Sequence, residues 1–267
     1  MTSQTAGAVC PGHNNQGEGT IKPQPGFGAG VSLPRPRCKA PMGPSDHPFW
    51  VAFVVLLLLY LGIMVQDRYR CWWWEKSLPR LTAGVDVNQN GVDDSDDLVR
   101  GGRLVVERGP VYQSGYYPPD GYPPEGEGVC TDLIWRAFNQ AGYDLKSLID
   151  ADILAAPWAY HRVAGEPDPA IDFRRVPNQK AFFLRQARIL STELIPGDAD
   201  NLAGWQPGDL VTFTDPDHVA IISNRRNANG VPYLIHHVEP RPREADDFMG
   251  RYGRITGHFR LPLKGVE

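Results

Sequence analysis

Cysteine is scarce in this chain of 267 residues: there are four, and Cys10, Cys38 and Cys71 are too scattered to form a disulfide framework. A strong charge of either sign is also missing. The formal net charge of −4 gives no reason to expect a nucleic-acid partner. Residues 1–48 have almost no aromatic side chains but hold eight Gly and eight Pro, a composition that cannot bury a core and reads as a disordered tail. Residues 49–65 contain no charged side chain at all. At about 1.5 Å per residue this run spans roughly 26 Å, close to a hydrocarbon core of about 30 Å, and it lacks the polar face of a soluble helix. It predicts one transmembrane helix, with Trp72, Trp73 and Trp74 as an interfacial anchor and residues 66–84 as a juxtamembrane linker. The run starts late and no small-residue cleavage site follows it, which argues against a cleaved signal peptide. Basic residues flank both ends: Arg35, Arg37 and Lys39 before it, Arg68, Arg70, Lys76 and Arg80 after it. The positive-inside rule therefore does not set its orientation.

Residues 85–267 suit one domain with a single core. Cys130 is the only cysteine there, and it opens a predicted helix whose apolar stripe continues through Ile134, Ala137, Phe138 and Ala141 to a stop at Gly142. A thiol at a helix N-terminus feels the positive end of the dipole, although a free cysteine is as often a small buried hydrophobe. Downstream, a Pro207-Gly208 turn feeds a strand ending at Phe213. His218–Ser223 and Tyr233–Val238 read as two more strands, joined by a turn cluster at 224–230. A cysteine on a helix and histidines on neighbouring strands supply a nucleophile, a base and an orienting group.

Upstream, Asp86, Asn88, Asn90, Val92, Asp94 and Asp97 fall at positions one, three, five, seven, nine and twelve of a loop with Gly91 at position six. That is the spacing of an EF-hand-type calcium loop, with Val92 offering its carbonyl and Asp in place of the usual Glu at twelve. It predicts a structural calcium ion; the alternative is an Asx-turn loop that binds nothing. Leu98, Val99, Val105 and Val106 suggest a following helix, which Gly101 and Gly102 weaken. The segment 111–126 is rich in Pro, Gly and Tyr and leads into Cys130 as a loop. Its Tyr117 and Tyr122, with Tyr116, either line a substrate cleft or pack the loop down. Residues 145–160 and 177–190 read as helical insertions, the second made basic by Lys180, Arg185 and Arg188 beside Arg174 and Arg175.

The stretches Gly128–Leu145, Asp172–Phe183, Trp205–Phe213, His218–Ile222 and Ile235–His237, in that order, resemble the bacterial domain-of-unknown-function family 1287. The last three also resemble the NlpC-like branch of the papain-fold cysteine peptidases and amidases. The resemblance covers roughly Val85 to Leu261 and implies an α+β, papain-like fold with the cysteine helix packed on an antiparallel sheet. It implies Cys130 as nucleophile, His218 as general base and His236 as the third polar residue. His237 is the competing choice for that last role, since alternation places it on the opposite face. One departure stands out: Val129-Cys130-Thr131-Asp132 replaces the Asp-Cys-Ser-Gly usual in that superfamily.

Such a thiol has an ordinary pKa of about 8.5, and lowering it to about 6 needs on the order of 3.4 kcal/mol. A helix terminus supplies about 1 kcal/mol, so a charged imidazole must supply the rest. The expected protein is a membrane-anchored cysteine amidase or peptidase acting on cell-wall peptides, single-pass in the bacterial cytoplasmic membrane with its catalytic domain outside. A weak calcium loop fills only where calcium is plentiful, which favours the same side. The alternative is a non-catalytic, calcium-stabilised cell-envelope binding module on the same fold.

Overall fold

The computed structural model describes residues 47–161, 165–250 and 252–265, and Phe49–Glu267 is one compact unit. The expected tail, residues 1–48, lies outside the described residues except for the two that open the first helix. The domain is α+β. Its helices are α1 (His47–Ser77), α2 (Asp94–Arg108), α3 (Cys130–Gln140), α4 (Leu145–Ala155), α5 (Val176–Gln186) and the short α6 (Ala199–Ala203). The strands are β1 (Val111–Tyr112), β2 (Glu127–Gly128), β3 (Arg188–Ile189), β4 (Leu210–Phe213), β5 (His218–Arg226), β6 (Pro232–His237), β7 (Pro242–Ala245) and β8 (Ile255–Arg260). Six strands form an antiparallel sheet in the order β3-β8-β4-β5-β6-β7, and β1 pairs with β2 in parallel.

Strand alternation divides the core in two. On one face Val219, Ile221 and Ile235 pack with Leu98, Val99, Cys130, Ile134 and Phe138, so α2 and α3 lie against this side. On the other, Ala220, Ile222 and Leu234 join Trp205, Val211, Phe213 and Phe248. The glycines that weakened the helix over 94–108 are what let it dock. A Cβ on Gly101 would stand 2.8 Å from Ala137 Cα, and one on Gly102 would stand 2.9 Å from Ile235 Cγ2. Asp93 caps the start of α2 and Gly109, at φ +60°, ends it.

The apolar helix α1 is long and apolar enough to cross a membrane, and its large hydrophobic side chains from Phe49 to Val65 are all exposed. It does not end with that run but continues through the expected linker to Ser77, because no Pro or Gly intervenes until Pro79. Trp72 and Trp73 are exposed, but Trp74 is buried: its indole donates to Ala228 O at 3.3 Å, in the β5–β6 turn. The third tryptophan of the expected anchor is thus a packing residue of the domain.

Candidate active site

Cys130 is the first residue of α3. Val129, in extended conformation, precedes it, and the Asp132 carboxylate turns back to accept from Val129 N at 2.8 Å. Asp132 also accepts from Trp135 Nε1 at 2.9 Å and from Arg174 Nε and Nη2 at 2.7 and 2.9 Å. Arg174 in turn donates to Gly115 O at 2.7 Å, which ties the 113–125 loop to the cysteine helix. Asp132 is thus a buried structural anchor, and Arg174, among the basic residues beside the second helical insertion, is its buried partner. Arg185 is similarly taken up by Asp152.

The thiol itself is 5% exposed. Burial pushes it up to about 12; hydrogen bonding from the backbone at Val219, Thr131 and Cys130 pulls the other way, and the nearby Asp132 charge adds to the rise. The sequence-based expectation of a readily ionised thiol meets an apolar core here, whose desolvation outweighs a helix terminus. What the structure does provide is position. Val219 immediately follows His218, so the sulfur lies against the β5 backbone beside the candidate base.

His218 and His236 sit on the opposite sheet face from Cys130, at positions alternating with Val219 and Ile235. The cysteine and the histidine pair therefore approach the first residues of β5 from its two sides. His218 Nε2 is 3.0 Å from His236 Nδ1, and His236 Nε2 is 3.1 Å from Asp247 Oδ2. Arg243 Nε holds the same Asp247 oxygen at 2.8 Å. The Tyr252 ring stacks on His218 at 4.3 Å and 8°, with its hydroxyl 3.2 Å from His236 Nδ1.

The network assigns the tautomers. A carboxylate only accepts, so Asp247 fixes the His236 proton on Nε2 and leaves Nδ1 as an acceptor. Neutral His218 then carries its proton on Nε2, and its basic lone pair is on Nδ1. His236 is thus the histidine joined to His218. His237 lies on the other face, the side of α3: its Nε2 meets Pro110 O at 3.1 Å, its ring stands edge-on to Tyr112, and burial lowers its pKa to about 4 against the opposing pull of Pro110, Asp132 and the Val129 backbone.

Asp247, Tyr252 and Tyr112 had no signal in the sequence. Burial raises the Tyr112 hydroxyl to about 12, and its ring stands edge-on to His237 at 5.3 Å. The two tyrosines expected in a substrate cleft are packing residues in the first instance. Tyr117 donates to Glu127 at 2.8 Å under the Arg174 guanidinium, and Tyr122 packs on Trp135 and Phe173. Tyr122 still faces a cavity, with Trp135, Asn139 and Asp144.

The 86–97 loop folds tightly around Gly91 at φ +81°. Asp86 accepts from Asn90 N and Gly91 N at 3.0 and 2.8 Å, while Asn88 and Asn90 donate to Asp97 Oδ2 at 2.8 and 2.7 Å. Asp94 turns away, accepting from Val87 N at 3.1 Å and Tyr143 OH at 2.5 Å. Among the described residues no three His, Cys, Asp or Glu side chains are arranged to hold a metal ion. A cation in the loop would draw on Asp86, Asp97, the amide oxygens of Asn88 and Asn90, and Val92 O, with both Asn amides turned over. Asn88 also donates to Gln140 O at 2.8 Å, so the loop clasps the C-terminal end of the cysteine helix.

Residues 99–261 match the family described as domain of unknown function (DUF1287). The chain is similar to the uncharacterized protein YijF of Escherichia coli (strain K12), 30% identical over 194 residues that cover 70% of this chain and 89% of that protein. No solved structure matches the chain.

Proposed function

The chain belongs to the DUF1287 family, and we propose that its domain is a membrane-anchored cysteine hydrolase that cleaves an amide bond in cell-wall peptides. The observation that carries this reading is the His218–His236–Asp247 chain, which leaves Nδ1 of His218 basic beside the strand residue that contacts the Cys130 sulfur. A helix opening with cysteine against an antiparallel sheet is also what a papain-like, NlpC-like domain would need.

In this mechanism Cys130 is a neutral thiol at rest. Cys130 and His218 meet only at the first residues of β5, so as the sulfur attacks the amide carbonyl the thiol proton passes around that strand end to His218 Nδ1, and backbone N–H groups at the start of α3 hold the oxyanion. Collapse of the tetrahedral adduct breaks the C–N bond, and His218 returns the proton to the leaving amine. A water deprotonated by the same nitrogen then hydrolyses the thioester and regenerates the thiol. His236 orients His218 and shares the imidazolium charge with Asp247. Calcium in the 86–97 loop would be structural, and the domain would face the cell wall from the outer side of the bacterial cytoplasmic membrane.

The burial of Cys130 favours a second reading, a cell-envelope binding module of the same fold with an inert thiol. Incubating the full chain in detergent with purified wall fragments, followed by mass analysis, separates the two. Hydrolysis yields a new amine and carboxylate that Cys130→Ala abolishes; unchanged fragments that co-purify with the protein support the module.

A further inference from the structure

A cavity of about 290 Å3 opens between the end of α2 and the outer face of α3, away from Cys130. Arg108, Glu125, Trp135, Arg136, Asn139 and Gln140 are among its lining. Two guanidinium groups thus face one carboxylate there. Arg108 is exposed and makes no ion pair among the described residues. Arg136 lies over the Trp135 ring at 5.0 Å and donates only to carbonyl oxygens, Pro124 O at 3.3 Å and Glu127 O at 2.9 Å. The acid nearest to it in sequence, Asp132, is already occupied by Val129, Trp135 and Arg174. Desolvation, and then the repulsion of Arg108 among other charges, lowers the Arg136 pKa against the pull of Asp132.

We propose that this cavity binds a carboxylate carried on a short peptide stem. A planar carboxylate suits the guanidinium fork of Arg108 and would relieve the excess positive charge. Trp135 offers an apolar surface for the stem, and Asn139 and Gln140 offer amide groups to a peptide bond. The volume, at the lower end of ligand sites of about 300–1,000 Å3, suits one or two amino-acid residues. The site rests on these residues alone and stands whether or not Cys130 is a nucleophile.

Saturation-transfer NMR on the full chain in detergent micelles tests this with N-acetyl-alanyl-alanine and its C-terminal amide as probes. The free acid should bind saturably and the amide about tenfold or more weaker, and Arg108→Gln should reduce the acid to the level of the amide. Arg108 is exposed, so the variant keeps its fold, and Cys130→Ala should leave binding unchanged. Equal binding of acid and amide, undiminished acid binding in Arg108→Gln, or no saturable binding of the acid would each overturn the proposal.

Discussion

His218 and His236 meet Nε2 to Nδ1 at 3.0 Å, so one proton lies between two imidazoles and the outer nitrogens of the pair are left with different tasks. The outer nitrogen of His236 is pinned by Asp247 at 3.1 Å, which makes that of His218 a lone-pair base. The charge that develops when His218 takes a proton is then spread toward a carboxylate 19% exposed.

Removing that carboxylate should uncouple the pair. Asp247→Ala frees the His236 tautomer, so His218 loses its preference for a bare Nδ1. Turnover of wall fragments should fall about tenfold to a hundredfold, and side-chain nitrogen NMR should show His236 as a tautomer mixture. A wild-type rate in Asp247→Ala would mean that the carboxylate does not direct the base.

His237 makes a prediction about stability. Its folded pKa, about 4, lies below the ordinary value of 6.5, so the unfolded chain binds a proton in that window while the folded chain does not. Its contribution is whole above pH 6.5 and is lost as the pH falls toward 4, by about 3 kcal/mol in all. Urea unfolding of the full chain in detergent should show this slope, and His237→Gln should flatten it. An equal slope in both proteins would place the loss elsewhere.

The loop at 86–97 can be tested by melting. A calcium ion held only by the native state stabilises it by mass action, by about 2.7 kcal/mol at a hundred times the dissociation constant. Millimolar calcium should therefore raise the midpoint over that with chelator, and Asp86→Ala should remove the difference. Coincident curves would leave the loop as the Asx network through which Asn88 and Asn90 hold Asp97.

Much of this framework was legible in the sequence because it is local. The 3.6-residue stripe from Cys130 to Ala141 gave α3, and the Pro207-Gly208 turn with its β-branched run gave β4 and β5. Alternation also places His236 and His237 on opposite faces, where one is joined to His218 and the other to Pro110. What could not be read depends on contacts between distant segments. Asp247 lies in a run of charged residues that resembles any solvated loop, and only folding brings it to His236. Gly101 and Gly102 look like helix breakers until α3 and Ile235 are placed against them. The environment of the thiol is hidden for the same reason: a helix terminus is visible in one dimension, whereas the apolar core that desolvates Cys130 is not.

The pH dependence of Cys130 alkylation by iodoacetamide tests the role of His218 most directly. If His218 acts as a general base toward a neutral thiol, the rate rises in two limbs, the first with loss of the imidazole proton and the second only as the thiolate forms, which burial moves well above the ordinary value of about 8.5. In His218→Ala the lower limb should vanish and the upper one remain. A single rise above pH 8.5, identical with and without His218, would show that no base reaches the sulfur and that the domain is not a cysteine hydrolase of this design.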